Sequence, residues 1–226
     1  MLLLLVGCGG GGPTTPSPSD DERLSAGPPH LIYLHGAIIE DQGPRPTHPR
    51  FGIYEYQQIL DTFTAAGFDV SSEQRPARTQ PQEYASRTAA RVRSLLDSGV
   101  SPNEITIVGF SKGGVIAVLT ALELDNPEIN YVFIACCIPF LEGVVESSDG
   151  PIQGRMLSIR ELSDELGSCN ALFELASPIS ETVEIELSLG GGHGAFYRPQ
   201  PEWVDPVVRW ALDGSRQVPG VAPGSF

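Results

Sequence analysis

The sequence predicts one α/β domain, a compact and mostly parallel sheet of about six strands with helices on both faces. Three observations carry that prediction. Short apolar runs alternate with longer segments of helical apolar spacing, the order that makes parallel strands joined by crossover helices. The 226 residues suffice for one domain plus tails, and 41 % hydrophobic residues supply one sizeable core. No internal repeat is visible, which excludes stacked-repeat architectures.

The elements follow in order. Leu31 to Leu34 reads as a strand running into His35-Gly36, and Tyr54 to Ala66 as a helix that stops at Gly67. Phe68 to Ser71 is the next strand. Pro81 to Ser98 is a helix with Ala85, Ala89, Val92 and Leu96 on one face. Ile105 to Val108 is a buried strand, and Ser111 to Leu124 a helix rich in Ala, Val and Leu. Tyr131 to Cys136, Met156 to Ile159 and Val183 to Leu187 complete the strands, before a last helix near Pro201 to Leu212. The domain covers residues 29–213, followed by a tail, 214–226.

The amino terminus reads as an address. Leu2 to Val6 is apolar, but a spanning helix needs about 20 such residues, and a secretory signal core about 7–15 behind a positive flank. Leu5-Val6-Gly7-Cys8 resembles the cleavage box of bacterial lipoproteins, in which the cysteine is lipidated. Residues 1–8 are therefore expected to be a truncated lipoprotein-like signal, and the Gly/Pro/Ser-rich residues 9–28 a flexible tether. This predicts a cell-envelope protein with a membrane tether at lipidated Cys8; an apolar tip without that meaning predicts a cytoplasmic one. Cys136, Cys137 and Cys169 remain, either as one disulfide and a spare thiol or as three small buried residues.

Acidic residues outnumber basic ones 28 to 14, a formal charge of −14 that repels phosphate backbones and argues against nucleic acid as a partner. Lys112 is the single lysine beside 13 arginines, and it follows Ser111.

Ile105 to Gly114 reads as strand, sharp turn, helix, with Gly109 and Gly113 framing Ser111 in a G-x-S-x-G pattern. Such a turn strains the serine and leaves no room for side chains at 109 or 113. It also lifts the hydroxyl over a helix amino terminus. A serine hydroxyl needs an adjacent base. Of His30, His35, His48 and His193, only His193 lies late enough for the order serine, acid, histidine, and glycines on both sides of it give a flexible loop. No lysine, serine or threonine follows Gly190 to Gly192, so the loop does not read as a phosphate cradle. Three carboxylates follow the penultimate strand: Glu161, Asp164 and Glu165. The backbone N–H of Lys112, the residue after the serine, is one expected oxyanion donor. The segment Tyr33 to Ala37 resembles the His-Gly oxyanion segment of esterases and lipases, which implies the N–H of Ala37 as the other donor, with Ile38 next in line. His35 is then a brace for that loop.

Residues 31–213 thus resemble a compact α/β-hydrolase of the esterase and lipase type, with His35-Gly36, Gly109 to Gly113, Asp164 and His193 in that family's order. The resemblance implies a serine hydrolase acting on small-molecule or lipid carboxylic esters through an acyl-enzyme, without cofactor or metal. It favours Asp164 as the acid, ahead of Glu161 and Glu165. It also brings Cys137 and Cys169 to neighbouring strand ends, as the pair to test for a disulfide. Only about 19 residues separate the Cys136 and Met156 strands, too few for a lid domain. Pro139 to Leu141 and Phe196-Tyr197 are candidates for an acyl wall or ordinary core. The same groups suit amides and thioesters, and an inactive binding lipoprotein is the reading outside enzymology.

Overall fold

The computed structural model describes residues 27–216. Residues 1–8, with Cys8, and nearly all of the segment read as a tether lie outside the described residues. Six parallel strands form the main sheet: β1 (His30–Leu34), β4 (Asp69–Ser71), β5 (Ile105–Phe110), β6 (Asn130–Ile134), β7 (Arg155–Glu161) and β8 (Glu181–Leu187). Their order is β4-β1-β5-β6-β7-β8, and every pairing is parallel. A small antiparallel hairpin, β2 (Thr47–His48) with β3 (Gly52–Ile53), stands apart. The helices are α1 (Ala37–Gln42), α2 (Tyr56–Ala65), α3 (Pro81–Asp97), α4 (Lys112–Leu124), α5 (Pro139–Glu146), α6 (Asn170–Glu174) and α7 (Pro201–Arg216).

Successive strand residues point to opposite faces, so an all-apolar strand feeds two cores. Leu31, Tyr33, Val108, Phe110, Val132 and Ile134 pack with Ile59 and Phe63 of α2 and with Trp203 and Val207 of α7. Their neighbours Ile32, Leu34, Ile107, Tyr131 and Phe133 pack with Val92 of α3, Ile116 of α4 and Leu141 of α5. Pro81 opens α3, where its fixed φ suits the first helical position, and α2 gives way to Gly67 at φ 98°.

Because all six strands run the same way, the loops after β1, β5, β7 and β8 meet at one edge of the sheet. Short elements escaped the sequence pattern: α1, the hairpin, α5 and α6 are each too brief to show a period. The stretch between β6 and β7 carries the eight-residue α5. The last helix continues to Arg216, three residues beyond the domain end read from sequence. Leu141, Phe196 and Tyr197 are core residues, and of the acyl-wall candidates Phe140 stands 63 % exposed.

Cys137 and Cys169 form a disulfide with Cα atoms 5.2 Å apart. It ties the end of β6 to the start of α6 and so closes the loop that leaves β7. Cys136 beside it is a buried free thiol, which burial pushes up to about 12. Native protein treated with iodoacetamide at pH 8 is therefore expected to yield unmodified Cys136 on peptide mapping, and modified Cys136 only after unfolding. In urea, the Cys137→Ser/Cys169→Ser double variant is expected to lose about 2–4 kcal/mol of stability, the effect of releasing a loop of this length.

Candidate active site

The centre of the site is the turn between β5 and α4. Ser111 has φ 54° and ψ −122°, a conformation that costs a non-glycine residue roughly 1–3 kcal/mol. Its own N–H donates to the Ile134 carbonyl at 2.9 Å, and its carbonyl accepts from Gly114 N–H at 2.8 Å. A Cβ on Gly113 would fall inside the carbonyl of Leu34, and one on Gly109 would lie 2.6 Å from the carbonyl carbon of Gly113. The two glycines are required by packing, as the pattern predicted. Gly114 is a third, because a Cβ there would meet the sulfur of Cys136.

Ala37 and Lys112 are the first residues of α1 and α4. First-turn N–H groups have no acceptor within their own helix, so both amides are available to an oxygen outside it. The two helices are neighbours, since β1 and β5 pair directly. A Cβ built on Gly36 would lie 3.6 Å from Cβ of Ser111 and 3.2 Å from the Phe110 ring. The turn before Ala37 therefore lies against the serine.

His193 lies in a 3-10 turn, Gly192–Tyr197, on the loop between β8 and α7. Its Nδ1 donates to Oδ2 of Asp164 at 2.8 Å, and its ring lies 4.8 Å from that of Phe110, the residue before Ser111. The Ser111 hydroxyl is not hydrogen-bonded to His193 in this structure. The serine, the imidazole and Asp164 all lie at the carboxyl edge of the sheet.

The other carboxylates take different places. Glu161 is buried at the end of β7, where Oε1 accepts from the N–H groups of Leu189 and Gly190, both at 3.0 Å. Its Oε2 accepts from Ser163 N–H at 2.8 Å, from Gly192 N–H at 3.2 Å and from the Ser163 hydroxyl. Burial opposes ionisation, but these hydrogen bonds outweigh it and hold the carboxyl below its ordinary range. Glu161 thus clamps the loop that carries His193, while Glu165 is exposed. The loop expected to be flexible is a tethered turn. Gly194 faces the Phe51 ring so closely that a Cβ would lie 2.6 Å from Cγ of the ring.

The remaining histidines also have partners. His30 pairs with Asp69 at 3.0 Å, but at the amino ends of β1 and β4, the opposite edge. His48 Nδ1 accepts from the N–H groups of Arg50 and Phe51 and so shapes the hairpin turn. His48, Arg50 and Phe51 form one wall of a cleft of about 380 Å³ whose other wall includes Asp164, Leu166 and His193. That hairpin wall was not legible in the sequence, because two-residue strands show no alternation.

His35 is fully buried. Its Nδ1 donates to the Gly36 carbonyl at 2.8 Å, and its Nε2 accepts from Arg75 N–H at 3.0 Å. Both ring nitrogens are satisfied in the neutral form, which makes it a brace for the loop. Burial first, and then the Arg75 guanidinium, lower its pKa to about 4. The unfolded chain takes up that proton near 6.5, so between 6.5 and 4 the unfolded state binds more protons than the folded one. Stability is therefore expected to fall as pH drops through that window, by about 3 kcal/mol in total. Urea titrations at pH 7, 5.5 and 4 are expected to show a steeper loss for the native sequence than for His35→Gln.

No family model matches this chain, and no curated protein matches it. Solved structures do. The chain is similar to YbtT, a type II thioesterase from the yersiniabactin NRPS/PKS biosynthetic pathway, with TM-score 0.56 and 14 % identity over 84 % of this chain and 95 % of that one. It is similar to MGS-M1, an α/β hydrolase from a Medee basin deep-sea metagenome library, with TM-score 0.54 and 14 % identity over 87 % and 88 %. It is also similar to SOBER1 of Arabidopsis thaliana, with TM-score 0.51 and 14 % identity over 81 % and 98 %. At these identities the likeness speaks for architecture alone, and the architecture of this chain is the α/β-hydrolase fold.

Proposed function

We propose that the protein is a serine hydrolase that cleaves carboxylic esters through an acyl-enzyme. The observation that carries this reading is the strained Ser111 turn on the same sheet edge as a hydrogen-bonded Asp164–His193 pair. In this mechanism His193 takes the proton of the Ser111 hydroxyl as Oγ attacks the carbonyl carbon. Nδ1 is committed to Asp164, which leaves Nε2 as the base and stabilises the imidazolium that forms. In this mechanism the serine–imidazole hydrogen bond forms when substrate binds, a frequent difference between empty and occupied sites. The N–H groups of Lys112 and Ala37 receive the oxyanion. His193 then returns the proton to the leaving alcohol, and water activated by the same imidazole releases the acid.

The cleft beside His193 would take the alcohol side of the ester, with Phe51 and Leu166 as apolar contacts. Thioesters are a second reading on the same groups, and one structural neighbour is a thioesterase. An envelope location for the protein is supported by Leu5-Val6-Gly7-Cys8 and by the Cys137–Cys169 disulfide, a bond that persists in oxidising compartments.

A fluorophosphonate probe is expected to label Ser111 and to leave Ser111→Ala unlabelled, with far-UV circular dichroism unchanged. Labelling that persists in the variant overturns the assignment. Asp164→Asn is expected to lower kcat on p-nitrophenyl butyrate by about 10³–10⁴ through the wrong imidazole tautomer. Rates on matched p-nitrophenyl esters and thioesters decide between the two substrate classes.

A further inference from the structure

We propose that Glu40 and the side chain of Lys112 are positioning residues that hold the two oxyanion donors in register; this role rests on the reading of Ser111 as the acylated group. The single lysine of the chain donates through Nζ to Oε2 of Glu40 at 2.6 Å, bridging the first residue of α4 to α1. The other oxygen of Glu40 accepts from Nε of Arg75 at 2.8 Å. Arg75 in turn donates from Nη2 to the His35 carbonyl and from its backbone N–H to the His35 ring. That ring donates to Gly36, the residue before Ala37. One unbroken run of polar contacts therefore links the helix that begins at Lys112 to the turn that presents Ala37.

The burial of these groups gives the run its stiffness. The Glu40 and Arg75 side chains are 3 % and 0 % exposed, against 21 % for Lys112. A buried carboxylate between two cations has little freedom to move, because leaving either contact strands a charge in a low dielectric. α1 needs such an anchor. It has six residues, too few to be stable alone, and Gly36 supplies no side-chain cap. Ile39 fixes one face of it in the core, and Glu40 fixes the other toward α4. An N–H displaced by an ångström from a forming oxyanion loses much of its effect.

Lys112→Met keeps the backbone N–H and removes only the tie. It is expected to lower kcat on p-nitrophenyl butyrate roughly ten- to a hundredfold with KM within about twofold. The affinity for a trifluoromethyl ketone, whose adduct carries the oxyanion, should weaken by the same factor as kcat/KM. Glu40→Gln should do likewise, and in a Glu40→Gln background Lys112→Met should add little, because the two act through one contact. Additive losses overturn the shared role, as does an unchanged kcat and ketone affinity in Lys112→Met. If Glu40→Gln does not fold, amide hydrogen exchange across residues 36–41 in Lys112→Met provides a readout that needs no turnover. Faster exchange there than in the native sequence supports the tie, and equal exchange overturns it. A native protein that neither binds the fluorophosphonate nor turns over ester refutes the reading of Ser111 instead, and the exchange experiment still judges the tie.

Discussion

Gly113 lies so close to the carbonyl of Leu34 that no side chain fits between them, and much of the molecule follows from that contact. It brings the amino terminus of α4 against the end of β1, so the turn between β5 and α4 must be tight. The tightness places Ser111 at a positive φ that its own side chain disfavours. The strain is maintained by the surroundings. Ser111 N–H continues the pairing with β6, β5 is buried along its whole length, and α4 is apolar on nearly every side. A local cost of a few kcal/mol at one residue is small against the burial of two central elements.

Carboxylates do the remaining work of assembly, and the structure uses three of them differently. Asp164 pairs with the imidazole of His193. Glu161, three residues earlier, collects N–H groups from Ser163 in its own loop and from Leu189, Gly190 and Gly192 on the amino side of His193, and so holds the histidine loop to the end of β7. Glu40 lies between Lys112 and Arg75 under the opposite rim. Each is nearly buried, and each has enough donors to offset the loss of water. The disulfide closes the loop of Asp164 from the other side. The result is a sheet edge on which short, Gly- and Ser-rich loops are held firmly by a few ionic and covalent ties.

The main strands and long helices were legible because their apolar periods span several residues. Ile105 to Val108 reads as a strand from its apolar run, which the structure extends to Phe110, and α3 declares itself through Ala85, Ala89 and Val92. The serine turn was legible because close backbone approach demands glycine at fixed offsets. The hairpin wall around His48 and Phe51 was not, since its strands are too short for alternation and it is held by ring packing against Tyr197 and His193. Glu40 and Arg75 gave no signal either. Each looks like an ordinary charged loop residue until the fold brings it under the same rim.

By itself, the sequence determined an α/β domain, a serine in a glycine-framed turn, and a late histidine with three carboxylates ahead of it. Those features are local, set by spacing within a few residues. Only the tertiary structure decided which carboxylate meets the imidazole, which cysteines bond, and what the lone lysine touches. Those partners lie 29, 32 and 72 residues apart. Strand order brings them together, and spacing within any one segment carries no record of it.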